Sequence, residues 1–561
     1  MRISLAQINS HIGNFEGNLQ KILQYIDLAR EQGADLVIFP ELCTCGYPPR
    51  DFLEFKDFID QCNLELDQIR KATTGIAVLV GSPVVNPERE GKNLHNAAFF
   101  MADQKIVYQH NKTLLPTYDI FDEYRYFEPS HEFKVFEYKG FRIALTVCED
   151  LWNLGNENPL YTVCPMDKMI DQNPDLILNI SASPFAYDHA QERIDVIQAN
   201  VFKYKKPLFY CNTIGAQTDI VFDGGSLVFN DDGSLLDELP YFEECLRSYD
   251  VLKVSGDRYE ESGMRYEVTG ASGFIAEAQP KEKYKLIHDA LILGIRDYFG
   301  KLGFKSAVLG LSGGVDSALT ATLAVNALGK ENVTGLMMPS RFSSQGSVDD
   351  AVALANNLGI SYHIIEIEPM YERFLNQLQP ILADKPFNVT EENIQARIRG
   401  TLLMATCNKL GHILLNTTNK SEMSVGYGTL YGDLCGGISV LGDVYKTEIY
   451  NLVKYINRDK QIIPQNTITK PPSAELRPNQ KDSDSLPPYE ILDPILYQYI
   501  EKRQGPKEII TLGYDETLVK RILRMVNINE FKREQTAPVI RVSSKAFGVG
   551  RRMPIVGKYL G

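Results

Sequence analysis

The first half of the chain alternates short apolar runs with amphipathic segments. Apolar residues recur every three or four positions from Phe15 to Ala29, which predicts a helix that ends near Gly33. Further apolar runs of strand length lie at 2–8, 34–39, 76–81, 96–101, 141–147, 175–180, 207–211 and 225–229. This alternation predicts an α/β domain with a well-buried sheet.

A second α/β series follows a polar, glycine-rich stretch at 256–282, which is typical of a linker and predicts domains at 1–255 and 283–561. Helical patterns separate the apolar runs of this second series, as expected for a doubly wound parallel sheet. From about residue 459 the chain is richer in Pro and polar residues, and we predict long loops with two or three helices there. The runs are at 306–314, 333–339, 360–367 and 412–418, and the helical patterns are at 315–329, 346–358 and 391–410.

Composition narrows the class of protein. A chain of 561 residues exceeds what one hydrophobic core usually supports. A formal net charge of −14 argues against nucleic-acid binding, and the apolar runs are too short to span a membrane. The N-terminus lacks the pattern of a signal peptide. Nine cysteines show neither disulfide-scaffold nor zinc-finger spacing, which predicts a cytoplasmic protein.

The sequence Ser312-Gly313-Gly314-Val315-Asp316-Ser317 directly follows an apolar run and opens a helical pattern. Adjacent glycines let backbone N–H groups surround an anion, and a helix N-terminus adds its positive end. The hydroxyls of Ser312 and Ser317 can donate to phosphate oxygens, and Asp316 can hold Mg²⁺. The alternative is a plain strand–turn–helix, but the serines and the aspartate favour a nucleotide site. No GK[ST] sequence is present, so this is not a Walker A loop.

The pattern SGGxDS resembles the ATP-pyrophosphatase family, whose members adenylate a substrate at the expense of ATP. The stretch from Thr417 to Glu422 is similar to the NAD synthetases in that family. The resemblance implies that Glu422 is a second Mg²⁺ ligand beside Asp316, and that the loop 470–478 closes over the site. It implies ATP contacts from Ser312 to Ser317 and from Thr417, Lys446 and Ser473. It implies contacts to the dinucleotide substrate, deamido-NAD, from Asn393, Arg397, Arg399, Glu422, Asp433 and Lys545.

The basic C-terminal segment has two interpretations. Lys545 or Arg552 could reach substrate phosphates from a lid. The segment could equally be a solvated basic surface.

Three residues in the first half stand just beyond predicted strands: Glu41, Lys112 and Cys148. Catalytic groups of α/β folds gather at such strand ends. A thiol becomes a nucleophile when a base takes its proton, which Glu41 can do. Lys112 can stabilise the thiolate and the oxyanion that develops during attack. The three residues are therefore chemically sufficient for amide hydrolysis through a thioester.

Each of the three residues also has an ordinary structural interpretation, as a core cysteine, a surface lysine and a capping glutamate. Their flanking sequences, at 39–42, 111–116 and 146–150, resemble the nitrilase/amidase superfamily, which uses Glu, Lys and Cys in this order. That resemblance implies an αββα sandwich. Within the members fused to NAD synthetases, it implies a glutamine site formed by Tyr47, Tyr118, Phe121, Glu149 and Ser183. Glu123 could be an auxiliary acid, and Arg193, His189 or neither could bind the glutamine carboxylate.

The two halves together resemble the glutamine-dependent NAD synthetases nearly end to end. The implied fold is a nitrilase-like sandwich joined to a Rossmann-like ligase domain related to the adenine nucleotide alpha hydrolases. The implied substrates are glutamine, ATP and deamido-NAD, with Mg²⁺ as cofactor and an internal passage for ammonia. A homodimer or larger assembly through the ligase domain is expected. The alternatives are an SGGxDS amidotransferase for another nucleotide or for tRNA, a ligase with an inactive amidase domain, and a non-enzymatic protein.

Overall fold

The computed structural model describes residues 1–156, 160–254, 265–270, 282–382 and 385–559. The chain forms two compact units, one made of 1–217 with 221–281 and the other of 218–220 with 282–561. A strand at Arg265–Gly270 lies inside the segment predicted as a linker. The other residues of that segment, up to 281, lie outside the described residues.

The first unit is built mainly from strands, with four helices among its described residues. The helices are α1 (Phe15–Glu31), α2 (Lys56–Lys71), α3 (Pro165–Met169) and α4 (His189–Tyr204). The strands are β1 (Arg2–Gln7), β2 (Leu36–Ile38), β3 (Ala77–Val85), β4 (Leu94–Ala102), β5 (Lys105–Asn111), β6 (Val135–Tyr138), β7 (Phe141–Val147), β8 (Leu176–Ser181), β9 (Leu208–Asn212), β10 (Ile214–Gln217), β11 (Ile220–Asp223), β12 (Leu227–Phe229), β13 (Leu235–Glu238), β14 (Cys245–Val254) and β15 (Arg265–Gly270).

Two sheets form the centre of this unit, in the orders β15-β14-β1-β2-β3-β4-β5 and β13-β12-β9-β8-β7-β6. Side chains of a strand alternate between its faces, and the burial follows this rule. Leu36 and Ile38 pack with Leu145 in a core between the sheets, whereas Val37 packs with residues of α1 and α2. Ala144 likewise faces α3 and α4. The layers are therefore helix, sheet, sheet, helix.

The second unit combines a parallel sheet with many helices. Its strands are β16 (Ala307–Gly310), β17 (Val333–Met337), β18 (Ser361–Ile364), β19 (Ile413–Asn416) and β20 (Ile438–Ser439). Its helices are α5 (Lys283–Leu302), α6 (Val315–Leu328), α7 (Gln345–Leu358), α8 (Glu368–Leu382), α9 (Val389–Leu410), α10 (Lys420–Val425), α11 (Lys446–Ile456), α12 (Gln465–Thr469), α13 (Tyr489–Ile500), α14 (Pro506–Thr511), α15 (Glu516–Ile528) and α16 (Glu530–Arg533).

The sheet of the second unit has the order β18-β17-β16-β19-β20, and each neighbouring pair is parallel. The chain runs outward from β16 through β17 to β18, and then returns to β19 on the other side of β16. The order therefore reverses between β16 and β19, and open α/β sheets bind ligands at such a switch point. The predicted SGGxDS sequence follows β16, and the predicted 417–422 stretch follows β19.

The tail differs from the prediction of long loops with two or three helices. Among the described residues after 459 there are five helices, α12 to α16. Apolar residues of α13 and α15, including Leu492, Leu496 and Ile522, pack in a core that also contains Met423 of α10. The helices form because they bury apolar side chains against one another and against the helix that follows β19.

Two candidate active sites

Glu41 and Lys112 meet in the first unit, after β2 and β5 of one sheet. The Lys112 ammonium donates to Glu41 Oε1 and to Glu123 Oε1, both at 2.8 Å. Glu41 and Lys112 are each 1% exposed. Close packing of the chain beside Glu41 requires Gly81, because a Cβ there would come within 2.4 Å of Leu42 N. A buried carboxylate is thus held against a buried ammonium.

Two further donors orient the Glu41 carboxylate. Asn96 Nδ2 donates to Oε1 at 2.7 Å, and the backbone N–H of Ala182 donates to Oε2 at 3.0 Å. Asn96 lies on β4, inside an apolar run whose sequence gives no sign of a catalytic contact. Asn96 was missed from the sequence because only the pairing of β4 with its neighbouring strands brings it to Glu41.

Cys148 begins a 3₁₀ turn, Cys148–Leu151, at the end of β7. Its φ of 45° lies in the left-handed region, which is uncommon for residues other than glycine and is concentrated at functional sites. Burial and the Glu41 carboxylate raise the pKa of the thiol well above its ordinary value, while Lys112 opposes that rise. The thiol is therefore protonated in the resting site, and attack on a substrate requires a base.

Glu123 adds a second carboxylate to the Lys112 ammonium. Burial raises its pKa to about 7, because the charged form is poorly solvated, while Lys112 lowers it. The Tyr47 hydroxyl donates to Glu123 Oε1 at 2.7 Å. Burial alone lowers the pKa of Lys112, but the Glu123 and Glu41 carboxylates outweigh it and raise that pKa above its usual value. Lys112 is therefore a permanent cation.

The remaining predicted glutamine contacts lie close to this cluster. Tyr118 donates to Glu149 Oε1 at 2.9 Å, and its ring meets the Phe121 ring edge-on at 5.5 Å. Tyr161, which the sequence did not single out, donates to the same oxygen at 2.8 Å. Ser183 directly follows Ala182, whose N–H contacts Glu41. The structure thus brings carboxylate, aromatic and hydroxyl groups together beside the trio.

The sequence left open whether Arg193 or His189 binds a substrate carboxylate. Arg193 is 1% exposed and forms two hydrogen bonds of 2.9 Å with the carboxylate of Asp223. This ion pair already neutralises the guanidinium. His189 Nδ1 lies 3.3 Å from the carbonyl oxygen of Pro184.

In the second unit, the loop after β16 has the geometry of an anion site. Gly313 has a φ of 76°, and a Cβ there would lie 2.2 Å from Ser347 O, so only glycine fits. The Gly314 N–H donates to Ser312 Oγ at 3.2 Å, and the Ser312 and Ser317 hydroxyls lie 3.1 Å apart. Both hydroxyls therefore stand at the N-terminus of α6, where a phosphate group is stabilised.

Asp316 and Glu422 converge on one lysine across the switch point. Lys446 forms an ion pair with Asp316 and lies 3.6 Å from Glu422 Oε1. Asn419 Nδ2 donates to Asp316 Oδ1 at 3.1 Å. Burial and the nearby Asp316 raise the pKa of Glu422 to about 8. The two carboxylates therefore form a site where a cation is strongly favoured.

Asp482 is a third acidic residue near this pair, and the sequence did not single it out. Tyr489 donates to its Oδ2 at 2.9 Å and Tyr427 to its Oδ1 at 3.3 Å. Burial raises its pKa, and Lys446 opposes the rise. It begins a short 3₁₀ turn, Asp482–Asp484, in the region predicted as loop.

The pair Asp316 and Glu422 suits Mg²⁺. Carboxylate oxygens are its preferred protein ligands, and the Lys446 ammonium lies where positive charge is needed. Among the described residues, no group of three or more His, Cys, Asp or Glu side chains is arranged to hold a metal. Mg²⁺ at nucleotide sites usually takes one or two carboxylates, and phosphate oxygens and waters complete its shell.

The predicted dinucleotide contacts fall into two places. Thr429 connects Asn393 to Asp433, because its hydroxyl donates to Asn393 at 2.8 Å and its N–H to Asp433 at 2.7 Å. Arg397 Nε donates to a backbone carbonyl of the same loop, at Leu430. Arg399 instead donates to Met338 O at 2.9 Å, since residues two apart on a helix point in different directions.

Ser473 and Lys545 have local partners. Ser473 donates to Gln480 O within its own loop, at 2.6 Å. The carbonyl of Lys545 accepts from Lys420 Nζ at 2.9 Å, which fixes the backbone there. Thr417 follows β19 directly. In the basic C-terminal segment, Arg551 is 8% exposed and pairs with Glu530, so this residue is not part of a solvated surface.

Comparisons with known proteins identify the family of each unit. A family model described as carbon-nitrogen hydrolase matches residues 2–253, and one described as NAD synthase matches 287–536. The chain is 45% identical to the glutamine-dependent NAD(+) synthetase of Synechocystis sp., over 99% of this chain and 98% of that protein. It is 40% identical to that of Thermotoga maritima, over 100% and 99%. The glutamine-dependent NAD+ synthetase of Acinetobacter baumannii, solved with ADP, has a TM-score of 0.76 at 37% identity, covering 99% of this chain and 98% of that one.

Fold, sites and matches define a class: a carbon-nitrogen ligase that carries its own amide-hydrolysing domain. Within that class, the chain belongs to the glutamine-dependent NAD(+) synthetases. The predicted family, fold class and enzymatic activity are confirmed. The matches do not support the alternative, a ligase for another nucleotide or for tRNA. No helix among the described residues is both long and apolar enough to cross a membrane.

Proposed function

We propose that the first unit releases ammonia from glutamine and that the second unit uses it, with ATP, to convert deamido-NAD into NAD. The observation that carries this proposal is the presence of two complete sets of reactive groups. One set is the Glu41–Lys112–Cys148 site, and the other is the Asp316–Glu422–Lys446 site beside the SGGxDS loop.

In the first unit, Glu41 takes the proton of the Cys148 thiol as the sulfur attacks the side-chain amide of glutamine. The Lys112 ammonium stabilises the negative oxygen that develops. Ammonia leaves with a proton returned by Glu41, and a glutamyl thioester remains. Glu41 then activates the water that hydrolyses it. Tyr47, Tyr118, Phe121, Glu149 and Ser183 bind the glutamine, with Glu123 sharing the ammonium of Lys112.

In the second unit, the Ser312–Ser317 loop, Thr417, Lys446 and Ser473 bind ATP. Asn393, Arg397, Arg399, Glu422, Asp433 and Lys545 bind deamido-NAD. The nicotinate carboxylate attacks the α-phosphorus and expels pyrophosphate, and ammonia then displaces AMP from the adenylate. Asp316 and Glu422 would hold Mg²⁺, which supplies neutralisation of phosphate charge. When it no longer pairs with Asp316 and Glu422, the Lys446 ammonium binds the phosphates of ATP.

A homo-oligomer formed through the second unit is part of the proposal. β18 is an edge strand, and Ile364 on it is 51% exposed. The adjacent helix α8 buries Tyr371 but leaves Phe374 52% and Ile381 77% exposed. Apolar surface of this kind supports association with a second copy. Light scattering should show a dimer or larger species, and Phe374→Glu with Ile381→Glu should shift it towards the monomer. A monomeric wild type would contradict this part.

We place the reaction in the cytoplasm. All nine cysteines are free thiols, and Cys148 must remain reduced to act.

The decisive experiment supplies deamido-NAD, ATP and Mg²⁺ with either glutamine or ammonium and measures NAD. Cys148→Ala should lose NAD formation from glutamine and keep that from ammonium, because only the amidase uses the thiol. Cys245→Ala, a half-buried cysteine on β14, is the matched control and should retain both. Wild type that makes no NAD from either nitrogen source would refute the proposal. Glutamine use by Cys148→Ala would refute the assignment of the nucleophile.

The second site has its own test. Asp316→Ala should abolish NAD formation from both nitrogen sources, because the site loses a cation ligand. Glutamate release from glutamine should remain measurable in this variant. Loss of glutamate release as well would contradict the separate assignment of the two chemistries.

A further inference from the structure

Asp150 lies two residues after the nucleophile, and its side chain makes a set of contacts that the reaction above does not use. It is 0% exposed. Its Oδ1 accepts from the backbone N–H groups of Thr113 at 3.0 Å and Leu114 at 2.9 Å. Its Oδ2 accepts from the N–H of Val147 at 3.0 Å and lies 3.4 Å from His110 Nε2. Three backbone donors and one imidazole therefore surround a single carboxylate.

The positions of these partners connect the two halves of the amidase site. His110 and Thr113 flank Lys112 on either side along the chain, and Val147 immediately precedes Cys148. His110 lies on β5, with Lys112 and Thr113 just after it, and Val147 ends β7; these two strands belong to different sheets. Their hydrogen-bond ladders therefore do not fix the ammonium relative to the thiol. The Asp150 carboxylate bonds to both chain segments directly.

The backbone at Cys148 also needs support. Its φ of 45° is a conformation that persists only where the surrounding structure holds it. The 3₁₀ turn Cys148–Leu151 leaves the Val147 N–H at its start without a partner inside the turn, and the Asp150 carboxylate reaches back to accept it. The hydrogen bond from the Val147 N–H to Asp150 thus closes the turn that carries the Cys148 sulfur.

We propose that Asp150 is a positioning residue for the amidase reaction. Its carboxylate sets the distance between the Cys148 sulfur and the Lys112 ammonium by binding the backbone next to each. Asp150 touches neither substrate nor reacting atoms. This inference rests on the proposed use of Cys148 and Lys112 in glutamine hydrolysis.

The test variant is Asp150→Asn, which keeps the size of the side chain. Its single amide oxygen can still accept from Thr113 and Leu114, but its NH₂ group then faces the N–H of Val147 and offers no acceptor. The matched control is Asp175→Asn. The Asp175 carboxylate accepts a backbone N–H at the opposite end of the same strand, from Arg142 at 2.7 Å. The control changes the same chemical group where it binds β7 far along the strand from the thiol.

Steady-state rates are measured with glutamine and with ammonium for both variants. For Asp150→Asn we expect kcat with glutamine to fall by about 100-fold, a loss that a displacement of about 1 Å can cause. The KM for glutamine should change by less than about threefold, because the substrate contacts remain. NAD formation from ammonium should stay near the wild-type rate and report on folding. Labelling of Cys148 by iodoacetamide, followed by peptide mass spectrometry, should also slow, since a displaced Lys112 ammonium stabilises the reacting thiolate less.

Three results would overturn the proposal. One is an unchanged kcat with glutamine, and another is an equal fall in Asp175→Asn. The third is a parallel loss of the glutamine and ammonium reactions, which would make Asp150 a general structural residue. If Asp150→Asn does not accumulate as folded protein, His110→Gln is the alternative test variant. It changes only the surroundings of Asp150 Oδ2 and leaves the carboxylate in place. Its kcat with glutamine should fall severalfold, and an unchanged kcat would reject the role. Wild type inactive with glutamine would instead reject the proposed function.

Discussion

Lys420→Met in α10 removes the centre of a buried ionic network in the second unit. The ammonium lies 2.8 Å from Asp443 Oδ1 and 2.8 Å from Glu501 Oε1, and all three side chains are 0% exposed. It also donates to Ser543 Oγ at 2.8 Å and to the carbonyl of Lys545. Methionine fills similar space but leaves two buried carboxylates without their counter-charge. Breaking a buried pair in this way costs about 3 to 5 kcal/mol.

The assay exploits the single tryptophan of the sequence, Trp152, which belongs to the first unit. Its fluorescence during urea unfolding reports on that unit, whereas far-ultraviolet circular dichroism reports mainly on the helix-rich second unit. With a slope of about 2 to 3 kcal/mol per molar urea, the dichroism midpoint should fall by about 1 to 2 M. The fluorescence midpoint should not move. NAD formation from ammonium should also fall, because Lys420 adjoins Asn419, which contacts Asp316.

The control is Lys520→Met, which breaks an exposed pair with Glu516 whose side chains are 61% and 62% exposed. Such pairs contribute about 0.3 to 0.5 kcal/mol, so the midpoint should hardly change. Burial lowers the pKa of Lys420, but Asp443 and Glu501 outweigh it and raise that pKa above 10.5. The stabilisation is thus complete below about pH 10.5 and lost as pH rises through the raised pKa. Equal midpoints for the Lys420 and Lys520 variants would refute the reasoning.

Two further predictions concern the first unit. Burial raises the pKa of Glu123 from 4.5 to about 7, so its contribution to stability is full below pH 4.5 and lost as pH rises through 7. The pH profile of kcat/KM for glutamine should therefore show an ionisation near 7 that is absent in Glu123→Gln; an unchanged profile would contradict this. Asp223→Asn leaves the buried Arg193 unpaired and should destabilise the unit by about 3 to 5 kcal/mol, measured by Trp152 fluorescence. Asp250→Asn, in a partly exposed pair, is the control, and an equal effect would count against the prediction.

Much of the fold could be predicted because buried strands have a simple signature. The central strands of both units, such as β8 and β16, are continuous apolar runs, as expected where both faces of a sheet are covered. Strands that mix charged and apolar residues, such as β14 and the edge strand β15, were missed. The tail was misjudged because proline was taken as a sign of loops. Pro506 instead occupies the first turn of α14, where its missing N–H costs nothing.

The residues of the candidate sites likewise divide into those that the sequence predicted and those that it missed. Glu41, Lys112 and the SGGxDS loop stand where apolar runs end, so strand ends drew attention to them and their local sequences distinguished them from ordinary residues. Asn96 lies inside β4 and Asp482 in a short turn of the tail, and their contacts depend on how distant segments pack. No local pattern marks such residues. Arg193 is the opposite case: the sequence offered it as a candidate ligand for the substrate carboxylate, but in the structure it is paired with Asp223.

The left-handed backbone of Cys148 has a consequence for the stability of the first unit. At φ of 45°, glycine is the least costly residue, and a side chain such as that of cysteine makes the folded state less stable by about 1 to 2 kcal/mol. Natural proteins are rarely at their stability optimum, and a substitution that relieves such a backbone conformation commonly stabilises the fold but can cost activity. A first unit that had ceased to hydrolyse amides would gain from replacing this cysteine. The sulfur that performs the chemistry is therefore held at a steady expense in stability, which a glycine would avoid.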